Sequence, residues 1–285
     1  MNVSIVIPAR DEAAAIGETV RAARAAVPGA EVIVIDDGST DGTADRARAE
    51  GARVVRHPYS KGNGAAIKTG AREARGDVLV FIDGDGQHNP ADIPRLLEPL
   101  ESGHDLVVGA RDTRSQSSLV RSFGNAVYNR LASWIVGRPV PDLTSGFRAA
   151  RAAPFREFID LYPNGFSCPT TSTLAFFRAG YSVGYVPIKA TRSASASHIS
   201  ILKDGSRFIV IIFRIGTLYS PLKIFAPVSA VLFVAGSAYY AYTWITQGRF
   251  TNFGALVYLT SVIVFMIGLV SEQITALVYL QRKRP

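Results

Sequence analysis

Short apolar runs alternate with helical segments over the first 110 residues of the chain. The runs are rich in Val, Ile and Leu and lie at residues 3–7, 31–35, 53–56, 78–82 and 105–108. Strands that alternate with helices are typical of an α/β sheet with parallel strands. We therefore expect a mostly parallel sheet covered by helices.

The run at residues 78–82 ends in two acids, Asp83 and Asp85, which are separated by one glycine. Five apolar residues in a row fit an interior strand, and ligands of such sheets bind at the carboxyl edge. Oxygen ligands at this spacing suit Mg²⁺ or Mn²⁺ bridging a diphosphate, with Gln87 and His88 as further candidate ligands. Since Asp and Gly are also common turn residues, the motif alone leaves an acidic turn as the alternative.

The remaining apolar residues concentrate at the C-terminus. Hydrophobic residues make up 48% of the 285 residues, and the mean hydropathy is +0.17. Residues 224–245 and 255–280 are each long enough to cross a hydrocarbon core, which takes about 20 residues. Residues 203–222 carry arginines among apolar positions, as an amphipathic segment at the membrane interface does.

Charge and cysteine content narrow the classes of partner. The net charge of +8 admits nucleic acid, an anionic membrane or a phosphorylated substrate. The basic tail at residues 281–284, by the positive-inside rule, predicts that the N-terminal α/β domain and the C-terminus are cytoplasmic in a multi-pass protein of the cell membrane. Cys168 is the single cysteine, which excludes an intrachain disulfide and a cysteine zinc site.

Five polar motifs follow one another along the first 150 residues. They are V-I-P-A-R-D-E at 6–12, D-D-G-S-T-D-G-T at 36–43, K-G-N-G-A-A at 61–66, D-G-D-G-Q-H at 83–88 and T-S-G-F-R at 144–148. In this order they resemble the motifs of family 2 glycosyltransferases. More narrowly, they resemble polyprenyl-phosphate glycosyltransferases, including dolichol-phosphate mannose synthases.

The resemblance implies a GT-A fold, a nucleotide-sugar donor and Mg²⁺ or Mn²⁺ as cofactor. It assigns the metal to Asp83, Asp85 and Gln87, and a catalytic role to Asp85, Gln87 and Arg192. It assigns donor binding to Pro8, Arg10, Glu12, Asp37, Lys61, Asp83, Gly84, Asp85, Arg192 and His198. A solvated loop lysine is an equal alternative for Lys61. His198 stands where the family has a lysine, which leaves the charge at that position open at neutral pH.

Acceptor binding is assigned to an arginine-rich segment after the donor motifs. The resemblance and this cluster point to Arg121, Ser145 and Arg148, although any single arginine there also fits a surface role. Many relatives carry acids where this chain has Pro169 and Thr171. A sugar hydroxyl acceptor needs a general base, whereas a phosphate is already a dianionic nucleophile near pH 7. The missing acids therefore favour a lipid-phosphate acceptor.

These observations predict three segments and one reaction. The segments are a GT-A domain at 1–202, an amphipathic segment at 203–222 and a transmembrane hairpin at 223–285. The reaction is inverting transfer of a hexose from a nucleotide sugar to a polyprenyl phosphate at the cytoplasmic membrane face, with a UDP-sugar favoured over GDP-mannose. The alternatives are a membrane-anchored nucleotide-sugar-binding or scaffold protein without catalysis, and a polysaccharide-type glycosyltransferase. No nucleic acid is expected as a partner, and the hairpin offers a surface for a homo-oligomer.

Overall fold

The computed structural model describes residues 1–111, 119–165, 167–189, 217, 219–249 and 251–282, with the backbone alone at 119–125 and 281–282. It divides into two compact units, Met1–Ile199 and Ser200–Pro285. The predicted boundary at residues 202–203, and most of the predicted amphipathic segment, lie outside the described residues.

The first unit alternates strands and helices as the sequence pattern predicts. Its strands are β1 (Val3–Ala9), β2 (Glu31–Asp36), β3 (Arg53–Arg56), β4 (Val78–Phe81), β5 (Leu106–Arg111), β6 (Arg148–Arg151) and β7 (Val183–Ile188). Its helices are α1 (Ile16–Ala26), α2 (Thr43–Ala49), α3 (Asn63–Glu73), α4 (Ile93–Glu101), α5 (Leu119–Val136), α6 (Ala152–Glu157) and α7 (Cys168–Ala179). Two short 3₁₀ turns, Pro90–Asp92 and Ile159–Leu161, precede α4 and follow α6.

The seven strands form one sheet in the order β3-β2-β1-β4-β6-β5-β7. β6 pairs antiparallel with both of its neighbours, and the other pairs are parallel. The expected α/β class with a mostly parallel sheet is confirmed. The sequence pattern did not predict β6 or β7.

Alternation along β1 explains how both faces of the sheet are covered. Ile5 and Ile7 join the core with α1 and α4 on one face. Val6 faces α3 on the other, where a Cβ at Gly70 would lie 2.2 Å from Val6 Cγ1. Because α3 packs this closely, β1 is buried on both sides, as an interior parallel strand requires.

The antiparallel strand β6 brings a later part of the chain to the carboxyl edge. Arg148, the first residue of β6, pairs with Phe81 near the end of β4 and with Val108 of β5. Because β6 runs in the opposite direction, the residues before it lie where β4 and β5 end. The T-S-G-F segment at 144–147 therefore meets the D-G-D segment at 83–85.

The second unit is a hairpin of two long apolar helices, α8 (Pro221–Gln247) and α9 (Asn252–Arg282). Both are long and apolar enough to cross a membrane. Ser229 Oγ donates to the Ser261 carbonyl at 2.9 Å, and Ser261 Oγ donates back to the Ser229 carbonyl at 3.0 Å. These reciprocal bonds satisfy hydroxyl groups that lipid could not. The predicted hairpin is confirmed.

Glu272 of α9 has an identified partner at the start of α8. Its Oε2 accepts a hydrogen bond from the Leu222 backbone N–H at 3.3 Å. The first N–H groups of a helix have no partner within the helix and favour negative charge. An acid within this apolar segment thus serves the packing of the hairpin.

Candidate active site

A cavity of about 460 Å³ opens at the carboxyl edge of the sheet. Its walls come from the segments that follow β1, β2, β3 and β4, which is where a parallel sheet binds ligands. The lining residues are Pro8, Ala9, Arg10, Glu12, Asp37, Ser60, Gly62, Asn63, Ala66, Asp83, Gly84, Asp85 and Gly165. Most of the residues that the resemblance assigns to the donor are therefore brought together.

The first two motifs hold each other in place. Backbone N–H groups after β1 donate to side chains after β2, from Asp11 to Ser39 Oγ at 3.0 Å, from Glu12 to Thr43 Oγ1 at 2.9 Å and from Ala13 to Asp41 Oδ2 at 3.0 Å. Asp11, with a positive φ of 53°, accepts from the Thr40 backbone N–H at 2.9 Å. The polar residues of the second motif thus serve mainly to shape the loop that carries Arg10 and Glu12.

The Asp37 carboxylate accepts four hydrogen bonds from the protein. Its carboxylate accepts from His57 Nδ1 at 2.6 Å, Ser60 Oγ at 2.8 Å, Lys61 N at 2.8 Å and Gly62 N at 2.9 Å. Burial by itself raises the pKa of Asp37, but these hydrogen bonds outweigh it and lower the pKa to about 2. Asp37 therefore fixes the loop between β3 and α3 as an ionised anchor.

The glycines on either side of Asn63 let this loop touch a second one. A Cβ at Gly62 would lie 2.5 Å from the Asn164 carbonyl oxygen, and a Cβ at Gly64 would lie 2.1 Å from that of Pro163. Asn63 is the one side chain between them. A hydrogen bond from Asn63 reaches Asp83.

Asp83 lies in a tight, partly buried position. A Cβ at Gly146 would lie 2.6 Å from Asp83 Oδ2, so only glycine fits there. His88, buried and stacked on Phe147, approaches the same oxygen at 3.9 Å. Burial, with the charge of Arg111, lowers the pKa of His88 to about 4, so this imidazole is neutral at pH 7.

Several carboxylates with raised pKa values converge on the cavity. Burial raises the pKa of Asp83, and the Asn63 bond and the charges of Arg148 and Arg111 offset this only in part. Burial also raises the pKa of Asp85, with the Asp83 charge adding to it. The pKa of Glu12 is raised by burial and by the charges of Asp85, Asp41 and Asp83. Such a cluster is stabilised by positive charge.

The donor set fits a divalent metal ion. Among the described residues, no three His, Cys, Asp or Glu side chains converge in a way that would hold a metal by themselves. Mg²⁺ and Mn²⁺ at diphosphate sites take one or two carboxylates and fill the remaining positions with water and phosphate oxygens. Asp83 and Asp85 are the two carboxylates of the cavity that would fit this role. The Gln87 backbone N–H and side-chain amide both donate to Asp85 and orient it.

On the opposite side of Asp83, an ion pair shapes the T-S-G-F segment. Arg111 donates to both carboxylate oxygens of Asp142, from Nε at 2.8 Å and from Nη2 at 3.1 Å. The same carboxylate accepts the backbone N–H groups of Thr144 and Ser145 at 3.0 and 3.1 Å. Burial would raise the pKa of Asp142, but Arg111 and these N–H groups lower it. Asp142 is therefore an ionised structural residue.

Arg148 points into the protein. Its side chain is buried, with Nη1 bonded to the Pro169 carbonyl at 2.7 Å and to Ser172 Oγ at 2.8 Å, and Nη2 bonded to the Ser145 carbonyl. Both terminal nitrogens of the guanidinium bond to the protein, whereas Nε is buried without a partner within the described chain. Arg148 thus ties the segment before β6 to the first turn of α7, and its contact with an acceptor stays a prediction.

Other acceptor and donor predictions remain open. Ser145 is fully buried, and its hydroxyl has no hydrogen-bond partner within the described chain. Lys61 is exposed, with its Nζ 5.8 Å from the Tyr59 ring centre. The Arg121 side chain and residues Arg192 and His198 lie outside the described residues.

Four residues of the site were not singled out from the sequence. These are Asn63, His57, Gly146 and Arg111, the last as the ion-pair partner of Asp142. The paired glycines around Asn63 were a usable signal, since two glycines so close together indicate close backbone contact. The other three depend on long-range pairing that no local pattern encodes.

Comparison with known proteins agrees with this architecture. Residues 4–159 match the family model described as Glycosyl transferase family 2, and residues 220–277 match the one described as GtrB C-terminal hairpin. Glycosyltransferase AglJ of Haloferax volcanii is 29% identical over 268 residues, covering 90% of this chain and 88% of the relative. The undecaprenyl-phosphate mannosyltransferase of Micrococcus luteus is 34% identical, covering 66% of this chain and 83% of the relative.

Solved structures give the same result. The crystal structure of glucosyl-3-phosphoglycerate synthase from Mycobacterium tuberculosis, in complex with Mn²⁺, UDP-glucose and phosphoglyceric acid, is similar with a TM-score of 0.60. Its identity is 26%, covering 74% of this chain and 78% of that one. Since the family model spans more than half of the chain, the chain belongs to glycosyl transferase family 2.

Proposed function

We propose that this glycosyltransferase transfers a hexose, with inversion, from a nucleoside-diphosphate sugar to a polyprenyl phosphate at the cytoplasmic face of a membrane. The donor is a UDP-sugar in preference to GDP-mannose, and the cofactor is Mg²⁺ or Mn²⁺. The observation that carries the proposal is the cavity in which Asp83 and Asp85 meet Glu12 with raised pKa values. This arrangement suits a dication and a diphosphate together.

On the donor side, the residues of this chain bind and orient the substrate. Asp83, Asp85 and Gln87 would hold the metal, and Pro8, Arg10 and Glu12 face the same cavity for the nucleoside, with Asp37 anchoring the loop beside them. A bound dication stabilises the charge that develops on the leaving diphosphate. Arg192 and His198 stay predicted partners of that diphosphate. The rate enhancement then comes from positioning and charge stabilisation.

On the acceptor side, the proposal needs no protein base. Pro169 and Thr171 open α7, and the Thr171 hydroxyl donates to the Ser167 carbonyl at 3.0 Å. Asp142 is already committed to Arg111. A phosphate monoester with a second pKa of about 6 has lost its second proton at neutral pH, so it can attack without a base to remove one. Both features favour a phosphate acceptor over a sugar hydroxyl.

The membrane part of the proposal is supported by the second unit and by the relatives. Large apolar side chains of α8 and α9 are exposed, with Ile245 at 81% and Val231 at 69%. Such surfaces are stable in lipid and unfavourable in water. The Micrococcus luteus relative is named for transfer to undecaprenyl phosphate, a membrane lipid of the proposed class.

The test is transfer by the purified full-length chain in detergent. Radiolabelled UDP-glucose, UDP-N-acetylglucosamine and GDP-mannose would each be incubated with undecaprenyl phosphate and Mg²⁺ or Mn²⁺. We expect one donor to yield a labelled lipid that carries a single phosphate, and undecaprenol, which lacks the phosphate, to yield none. Label found only as free sugar or in a polymer would contradict the proposal.

The pH dependence tests the absence of a base. Activity should rise with pH through about 6, the second ionisation of the acceptor, and then level off. Asp112, which lies outside the described residues, is the carboxylate to replace by its amide. A loss of transfer in Asp112→Asn, with donor and metal still bound, would mean that a protein base is required.

A further inference from the structure

The Asn63 side chain interacts with the protein through one group, whereas its other polar group has no protein partner within the described chain. A hydrogen bond from this side chain reaches Asp83, while its oxygen Oδ1 is buried and has no hydrogen-bond partner within the described chain. Asn63 also lines the carboxyl-edge cavity. A buried acceptor without a partner is unfavourable, and it calls for a donor that binds there.

The orientation of Asn63 is fixed from both sides. Asp37 holds the backbone N–H groups of Lys61 and Gly62, and the Ala65 N–H donates to the Asn164 carbonyl at 3.1 Å. Neither flanking glycine has room for a side chain. Asn63 is therefore held as the first residue of α3, on a backbone that is fixed on both sides, as a binding group with defined geometry requires.

We propose that Asn63 Oδ1 accepts a hydrogen bond from a hydroxyl group of the bound donor and helps to select that donor. This inference rests on the proposed function, since it takes a nucleoside-diphosphate sugar as the ligand. A carboxamide oxygen only accepts hydrogen bonds, so a phosphate oxygen cannot be its partner. A hydroxyl can be, and hydroxyls flank the diphosphate on both sides, on the ribose and on the sugar to be transferred.

The other polar groups described next already have protein partners or fit the metal, so we assign the donor hydroxyl to Asn63. Asp37 already accepts four hydrogen bonds from the protein. Asp83 and Asp85 are the carboxylates that fit the metal, and the side-chain amide of Gln87 donates to Asp85. Because the Asn63 side chain also bonds to Asp83, its oxygen lies beside the diphosphate end of the cavity, where a ribose or sugar hydroxyl is nearer than the base.

The experiment measures binding by calorimetry with the full-length chain, Mn²⁺ and four probes. The probes are UDP, UDP-glucose, 2′-deoxy-UDP and 3′-deoxy-UDP, with the corresponding guanosine compounds and GDP-mannose if the wild type prefers GDP. The key variant is Asn63→Ala, and the matched control is Asn2→Ala, at an exposed asparagine on the opposite edge of the sheet. Thermal melting of each variant is recorded alongside.

Two results support the inference and distinguish the sources of the hydroxyl. If the ribose supplies it, Asn63→Ala weakens UDP about tenfold, and removing the same hydroxyl from the probe has no further effect. If the transferred sugar supplies it, Asn63→Ala leaves UDP unchanged and weakens UDP-glucose about tenfold. The affinity for Mn²⁺ alone stays at the wild-type value in both cases.

Two other results overturn it. Wild-type affinity of Asn63→Ala for every probe, or an equal loss for all probes including both deoxy forms, would mean that the oxygen contacts no hydroxyl. If Asn63→Ala melts at a lower temperature than the wild type, Asn63→Asp is used instead, because it keeps an acceptor oxygen. This variant should keep the wild-type discrimination between probes, and loss of that discrimination also overturns the inference. A wild-type chain that binds none of the nucleotides would instead refute the proposed function itself.

Discussion

The two halves of the site use polar residues in different ways. In the donor half, the motifs that follow β1 to β4 line an open cavity, and carboxylates with raised pKa values face into it. In the acceptor half, the prominent charged residues Arg111, Asp142 and Arg148 are bonded to the protein. A motif residue can thus belong to a site because it shapes a loop and not because it contacts a ligand.

The largest expected effect tests the proposed donor half, whose carboxylates face the cavity. Asp85→Asn should lower the rate of transfer by at least ~10²-fold, because it removes one charge from the pair that fits the metal. The measurement is turnover of labelled donor, with Mn²⁺ affinity by calorimetry as a second readout. Full activity of the wild type in excess chelator would contradict the metal requirement.

A comparably large effect, this time on stability, tests the proposed acceptor half, whose charged residues are bonded to the protein. Arg148→Met should lower the free energy of unfolding by about 3 kcal/mol, because it leaves the buried Ser145 carbonyl without its donor and removes one of the donors of the Pro169 carbonyl. Thermal melting in detergent measures this. Arg138→Met, at an exposed position, is the control and should melt like the wild type. A weakened use of lipid phosphate with unchanged melting would instead favour the direct contact that the resemblance implies.

The sequence predicted the donor half better than the acceptor half for a physical reason. Strands β1, β2 and β4 are continuous apolar runs, and their motifs follow at the ends, so local pattern is enough to bring Pro8, Asp37 and Asp83 together. β6 is only four residues long, with arginine at both ends, and resembles a binding loop. Arg148 was therefore interpreted as an acceptor residue, because nothing local indicates that it begins a central strand.

β7 and the residues that pack against Asp83 show the same limit. β7 contains Pro187 and a glycine, and it forms an edge of the sheet, where proline is tolerated but the strand signal is weak. Gly146 is required because Asp83 lies against it, although the two are far apart in sequence. Contacts of this kind follow from the sheet order and not from periodicity.

A smaller effect tests how the donor loops are held. The pKa of Asp37 is about 2, below the ordinary value of 3.8, so the ionised carboxylate stabilises the folded state above about pH 4. That contribution is lost as the pH falls towards 2. Asp37→Asn should therefore destabilise the chain by about 2 kcal/mol at pH 7, with the difference shrinking below pH 4.

Melting curves of Asp37→Asn and the wild type between pH 7 and pH 3 measure this effect. Asp160→Asn, which removes an exposed ion pair with Arg72, is the control and should change stability little at any pH. A difference between Asp37→Asn and the wild type that does not vary with pH would show that the carboxylate is not the anchor of the loop.

The smallest expected effect asks whether any polar group of the acceptor half is free for a ligand. Ser145 Oγ has no protein partner within the described chain, whereas Ser172 Oγ accepts from Arg148 at 2.8 Å and donates to the Pro169 carbonyl at 3.0 Å. Removing an unpartnered hydroxyl costs the fold nothing, while removing a bonded one leaves buried groups unsatisfied.

Ser145→Ala should therefore melt like the wild type and raise the KM for polyprenyl phosphate three- to tenfold (roughly one neutral hydrogen bond), with donor affinity unchanged. Ser172→Ala should lower the melting temperature instead. If Ser145→Ala leaves the KM unchanged, the acceptor does not contact the Ser145 hydroxyl, and the predicted role of this residue is wrong.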